Sequence, residues 1–273
     1  MAQTELQEAF FAASGDELVP AAHARSPWAA DMLHGRLLGG LLARALEREH
    51  AEPWLHFSRL TVDLFRNTPL MPLHVVTTRI RDGRRIRVAD ATVLTADGPA
   101  ARASAVLLRR GEQPAGEVPS TPAWDAPEPD ELGPAPRAEG VRWRTPWDTW
   151  LLDSDGKPAH GWQSNGRRRA WLRETHELVA GESLSPFVRT ALAADFASPL
   201  AHAASAGLQF INADYTMSLS RLPVSCAIGV ESSGHLSEDG IAVGHCTLHD
   251  VGGPIGYCSV TAVANPNSRL GRA

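Results

Sequence analysis

The sequence is short of lysine. Lys157 is the only one among 273 residues, and every other basic side chain is arginine. With so much alanine, this follows the codon usage of a GC-rich genome, so arginine by itself marks no anion site. Positive charge is also short overall, with a formal net charge of −5. That argues against nucleic acid as a main partner, because phosphate binding needs a basic surface. It leaves room for a small anionic ligand held by a local arginine cluster. No apolar run reaches the roughly eighteen residues that cross a bilayer, so no membrane span is expected. Met1 to Gly15 lacks a basic start followed by an apolar core, so no signal peptide is expected there. Cysteine is scarce: Cys226, Cys246 and Cys258, with no CxxC pair. All three sit in apolar, strand-like stretches and are expected to be reduced core residues of a cytoplasmic protein. A Gly-x-Ser-x-Gly elbow is absent too, which disfavours a serine nucleophile of the α/β-hydrolase kind.

What is present is an ordinary globular composition, 43% hydrophobic and 21% charged, which excludes wholesale disorder. The length suits one large domain or two of common size. Residues 112–139 are rich in proline, acid and alanine, without periodicity. Prolines deny the backbone donors that a helix or sheet needs, so this stretch reads as a linker between residues 1–111 and 140–273. Each part reads as one helix followed by strands. In the first, Leu33, Leu37, Leu38, Leu41, Leu42, Ala45 and Leu46 recur at helical spacing over 33–49. Strands are expected near 55–66, 71–81, 84–95 and 100–110, with Asp82-Gly83 as a hairpin turn. In the second, 186–204 reads as a helix that starts at Pro186 and is ended or kinked by Pro199. Strands are expected near 208–221, 224–233, 240–250 and 254–264.

The two parts repeat. With an offset of 155, Thr61, Leu64, Arg66, Val75, Ile86, Val88, Thr92, Gly98, Pro99 and Ser104 fall on identical residues, without a gap. Composition predicts about three such matches over this length. Sustained self-similarity at one offset is the mark of a duplicated structural unit. A helix followed by an antiparallel sheet has a simple physical logic. Each sheet has one apolar face, such as Leu60, Val62 and Leu64, or Ala213, Tyr215, Met217 and Leu219, which the helix covers. Two such units can join edge to edge, pairing strands otherwise exposed, with a cleft between them as a natural ligand site.

Three stretches carry a family resemblance. They are Ser26-Pro-Trp-Ala-Ala-Asp-Met-Leu-His-Gly-Arg-Leu-Leu-Gly-Gly; then Leu60-Thr-Val-Asp-Leu-Phe-Arg through Arg81-Asp-Gly-Arg-Arg-Ile; and then Ala193-Ala-Asp-Phe with Phe210-Ile-Asn-Ala-Asp-Tyr-Thr-Met-Ser-Leu-Ser-Arg. In this order the chain resembles the type II acyl-CoA thioesterase group of the double hotdog fold. The resemblance implies an α+β architecture of two tandem units, each an antiparallel sheet wrapped around a central helix. It implies hydrolysis of an acyl-CoA thioester without a cofactor, and a polar constellation in the second unit that holds a water. Carried over by position, that constellation is Asp195, Asn212 and Thr261. Asn212 and Thr261 depart from the family's residues, and Arg36 stands where a second glycine is usual.

The residues allow a chemical reading beside this. Asp195 lies among almost wholly apolar neighbours, Ala191-Leu-Ala-Ala-Asp-Phe-Ala. It is either a solvated helix charge or a held acid, and the resemblance favours the second. As a base it would take a proton from water that Asn212 and Thr261 orient. His34 and Gly35 sit near a helix start, where free N–H groups can meet an oxyanion and glycine permits close approach. The same pair can equally serve packing alone. His245 and His249 share a strand face about 13 Å apart, too far for one metal ion, so no metal is expected. Arg167-Arg168-Arg169 reads as a solvated strand start, with contact to coenzyme A phosphates as the minority reading. The later tryptophans, Trp124, Trp143, Trp147, Trp150, Trp162 and Trp171, either pin the linker onto the sheets or line an acyl pocket. Alternatives to hydrolysis are a non-catalytic acyl-thioester binder or biosynthetic accessory protein, a hotdog enoyl-thioester hydratase, and a thioesterase for carrier-protein donors. Unpaired strand edges lead one to expect a homo-oligomer.

Overall fold

The structure is a computed structural model and describes residues 8–136, 145–159, 161, 167–204, 207–266 and 268. Trp143 and Trp162 lie outside the described residues. A hairpin of β1 (Phe11–Ser14) and β2 (Glu17–Pro20) comes first, followed by α1 (Gly35–His50). Then come β3 (Leu55–Leu64), β4 (His74–Asp82), β5 (Ile86–Thr95) and β6 (Gly98–Arg109). A short α2 (Pro129–Leu132) precedes β7 (Trp147–Leu152) and β8 (Arg169–Glu174). The remainder is α3 (Pro186–Ala194), α4 (Ala197–His202), β9 (Phe210–Asn212), β10 (Asp214–Leu219), β11 (Ala227–Glu238), β12 (Ile241–Asp250) and β13 (Gly253–Ala264).

Eleven strands form one sheet in the order β4-β5-β6-β3-β10-β13-β12-β11-β8-β7, with β9 paired to β13. The sequence repeat is written into its register. Thr61 faces Ser104 as Thr216 faces Ser259. Asp90 faces Ser104 as His245 faces Ser259, and Val75 faces Val93 as Val230 faces Leu248. Each pair maps onto its counterpart by the same offset of 155. The two halves join where β3 pairs with β10, and there Thr61 faces its own counterpart Thr216, with a hydroxyl hydrogen bond of 3.0 Å. Antiparallel pairing of a strand with its own copy places a local two-fold axis at this threonine pair.

Alternation along the strands sends Leu60 and Val62 of β3, and Tyr215, Met217 and Leu219 of β10, to the face that α1 and α3 cover. The apolar stripe of α1, Leu37, Leu38, Leu41, Leu42 and Leu46, is fully buried there. Each such leucine contributes about 2 kcal/mol by leaving water. Gly40 lets the two helices close up, since a Cβ at Gly40 would lie 2.5 Å from Leu192 Cδ2.

Several expectations need correction. The helix read over 186–204 is two helices that break at Asp195, four residues before the proline read as its breaker. Pro199 has no N–H to give the Asp195 carbonyl, and its ring crowds that carbonyl, so the break falls one turn upstream. The strand read over 208–221 is interrupted at Ala213, between β9 and β10. Strands β7 and β8 extend the second half by two positions beyond the repeat. Cys246 and Cys258 are core residues, but Cys226 is exposed. Arg169 is no solvated strand start. It is 3% exposed and paired with Glu231 and Asp125.

Of the tryptophans in this region, Trp124, Trp150 and Trp171 hold the linker, while Trp147 packs against Arg36 and His34. Trp124 stacks on His249 and meets Trp171 edge-on. Trp171 donates to the Pro127 carbonyl and Trp150 to that of Gly133. The segment thus straps across the outer face of the second half of the sheet.

Candidate active site

The break between α3 and α4 does more than bend the chain. The Asp195 N–H turns to the Ala193 carbonyl, so the Ala191 carbonyl loses its partner within the helix. Tyr215 replaces it, donating from its buried hydroxyl at 2.9 Å. The Cys258 thiol donates in the same way to the Ala194 carbonyl. The sheet therefore holds the helix end on which Asp195 sits, and Asp195 is itself only 8% exposed.

Asn212, at the end of β9, donates from Nδ2 to Asp195 Oδ1 at 2.9 Å. Burial raises the Asp195 carboxyl above the ordinary aspartate range; the Asn212 bond and the nearby Arg36 charge oppose it. A carboxyl raised by burial is a stronger proton acceptor than a solvated one, and the donor holds it in place.

Across from Asp195 lies the start of α1. A Cβ on Gly35 would stand 4.0 Å from Asp195 Oδ1 and 3.2 Å from Leu64, so glycine keeps this gap open. His34 caps the helix, its Nδ1 accepting the Arg36 N–H at 3.3 Å. The Leu37 N–H goes to the His34 carbonyl. Among the described residues, that leaves the Gly35 N–H as the first-turn donor free to meet a carbonyl oxygen. Burial and the Arg36 charge push the His34 imidazole down to about 3. With Nδ1 accepting, the neutral ring carries its proton on Nε2 and is a donor there.

Asp195, Asn212, His34 and Gly35 thus share one cavity of about 230 Å³, with Trp28, Met32, Leu38 and Leu64 among its apolar walls. Thr261 is not among them. It is exposed on β13, two residues before the cavity wall, and its N–H donates to Asp214 Oδ1. From that strand it is Val263 that reaches the cavity.

Arg36 was legible as a departure from glycine but not as a site residue. It is 3% exposed, and its guanidinium pairs with Glu174 of β8. It lies 4.0 Å over the Trp147 ring and donates to the Leu192 carbonyl of α3. It thereby ties the first turn of α1 to the second half, beside Asp195.

The fold is shared with known structures. A tesB protein of Mycobacterium avium subsp. paratuberculosis superposes with a TM-score of 0.63 at 14% identity, over 94% of this chain and 96% of that one. The acyl-CoA thioesterase II TesB2 of Mycobacterium marinum gives 0.61 at 15%, over 85% and 91%. A hot dog fold protein of Alicyclobacillus acidocaldarius gives 0.68 at 13%, over 94% and 96%. The molecule is therefore a double hotdog. No curated protein matches it in sequence. Family models decide its place: the acyl-CoA thioesterase N-terminal domain matches residues 24–108, and the C-terminal domain matches residues 121–263. The chain belongs to the acyl-CoA thioesterase family.

Proposed function

We propose that the protein hydrolyses an acyl-CoA thioester to a free acid and CoA, with Asp195 as general base. The observation that carries this reading is the buried Asp195, hydrogen-bonded by half-buried Asn212, facing the open start of α1 across one cavity with apolar walls. The acyl group lies along the apolar wall. The thioester oxygen meets the Gly35 N–H beside His34. Asp195, held at Oδ1 by Asn212, takes a proton from water through Oδ2 as that water attacks the carbonyl carbon. The tetrahedral oxyanion collapses, the carbon–sulfur bond breaks, and Asp195 returns its proton to the leaving thiolate. Donors set in place before the charge develops are the main source of rate in such sites. The Thr261 side chain has no part in this reading.

A second reading, hydration of an enoyl thioester, draws on the sharing of one cavity by His34 and Asp195. It is disfavoured because the His34 Nδ1 already accepts a backbone N–H and its basicity is low.

The test is thiol release from a panel of acyl-CoAs, short to long and including aromatic ones. Asp195→Asn keeps the Asn212 bond, so the variant is expected to fold and to lose about 10³-fold in kcat. Full turnover by that variant would remove Asp195 from the mechanism. Loss of enoyl absorbance without thiol release would install the hydratase. Acyl-CoA binding without either reaction would leave a binder.

A further inference from the structure

The repeat offers an internal control at the mouth of the cavity. Arg66 and Arg221 are counterparts under the offset of 155, and so are their surroundings. Arg221 donates to the Gly253 carbonyl at 3.1 Å and Arg66 to the Gly98 carbonyl at 2.9 Å. Gly253 is the counterpart of Gly98. The next neighbour differs. Arg221 is held by both carboxylate oxygens of Asp250, at 2.6 and 2.7 Å. The counterpart of Asp250 is Thr95, which meets Arg66 only with a hydroxyl at 3.4 Å.

One arginine is therefore neutralised in place, and the other keeps its charge. Among the described residues no carboxylate lies within ion-pair distance of Arg66. The charged one is the one at the cavity. Arg66 and Asn67 line it and are exposed, whereas Asp195 lines it and is buried. The site thus runs from an acid at depth to a cation at the mouth. Arg66 follows two residues after Leu64, whose side chain lies 3.2 Å from where a Gly35 Cβ would stand, so the exposed cation and the buried acid belong to the same cavity. The backbone bond to Gly98 fixes the guanidinium without spending its charge, and a guanidinium fork suits a phosphate.

We infer that Arg66 is an anion-binding residue at the mouth of the cavity, and that its ligand is the phosphate at the end of the pantetheine arm of the thioester. This rests on the thioesterase reading. It narrows that reading, because the same phosphate occurs in coenzyme A and in a carrier-protein arm, and acyl-phosphopantetheine carries it without either.

KM is measured for acyl-pantetheine, acyl-phosphopantetheine and acyl-CoA of one acyl group. Wild type prefers the two phosphate-bearing forms by about 10- to 100-fold, the worth of a charge-assisted hydrogen bond. Arg66→Gln collapses that preference for both, and Arg66→Lys restores part of it. Thr95→Asp copies the second half, supplies the missing carboxylate, and collapses the preference with Arg66 still in place. A preference that survives both Arg66→Gln and Thr95→Asp overturns the inference. A loss confined to acyl-CoA overturns the assignment to the arm phosphate. If wild type hydrolyses none of the three, the thioesterase reading fails by itself. Arg66 is then tested by calorimetry with 4′-phosphopantetheine and pantetheine, where Arg66→Gln must weaken binding of the first about 10-fold or more and erase the difference between them.

Discussion

The two halves of the sheet superpose in register, yet at matched positions they carry opposite chemistry. Val76 and Glu231 are counterparts, paired to Thr92 and Thr247. Val76 is 48% exposed on an open outer face. Glu231 is 3% exposed, bound to Arg169 and Arg167 and close to His249, under the linker strap. Arg66 and Arg221 differ likewise, one charged at a cavity and one tied to a carboxylate. The helices differ too, with a continuous α1 that offers its N-terminus and an interrupted α3–α4 that offers Asp195. A duplicated scaffold keeps its backbone pairing because register is set by the apolar face. The side chains off that face are free to diverge. The candidate site exists only because they did: one half contributes donors and the other contributes the acid.

The contrast can be broken most forcefully at the buried ion pair. Arg169→Met leaves the Glu231 carboxylate buried with weaker partners and is expected to cost about 3–5 kcal/mol in denaturant unfolding. A cost under about 1 kcal/mol would mean that the strap is not held by this pair.

Next comes the tie between the halves at Arg36. Replacing the pair together, as Arg36→Met with Glu174→Leu, keeps the volume apolar and is expected to leave stability nearly unchanged. It removes a positive charge that favours the Asp195 carboxylate over its acid. His34 and His176 also feel Arg36, and Tyr215 and Cys258 face Asp195 as neutral groups. The Asp195 carboxyl therefore rises, and the base is protonated at a higher pH. The acid limb of kcat/KM should move to higher pH, read from a rate profile. A limb that stays still would show that Arg36 acts through packing alone.

The smallest effect belongs to the open face. Val76→Glu puts the Glu231 side chain at the same register position in solvent, and should change stability by less than about 0.5 kcal/mol.

Much of the architecture was legible because it is periodic. The stripe of α1, the strand alternation and the offset of 155 all follow from which side of an element must leave water. Asp195 was legible as a lone acid among alanines. Asn212, His34 and Gly35 were named by resemblance and local pattern, and the cavity gathers them. Thr261 was named in the same way, but its side chain is exposed and does not line the cavity. The helix break was placed four residues late, because a proline acts on the carbonyl one turn before it. Arg36 and Glu174 are separated by 138 positions. No pattern along the chain announces such a pair.

The amino-acid sequence by itself determined the helix-and-sheet unit and its duplication. These depend on local propensity and apolar periodicity, which are properties of adjacent residues. Tertiary structure alone decided which carboxylate meets which arginine. Asp250 neutralises Arg221, Glu174 neutralises Arg36, and Arg66 is left charged at the cavity. Charge pairing depends on distance in space and on burial, and both arise only when remote segments close on one another.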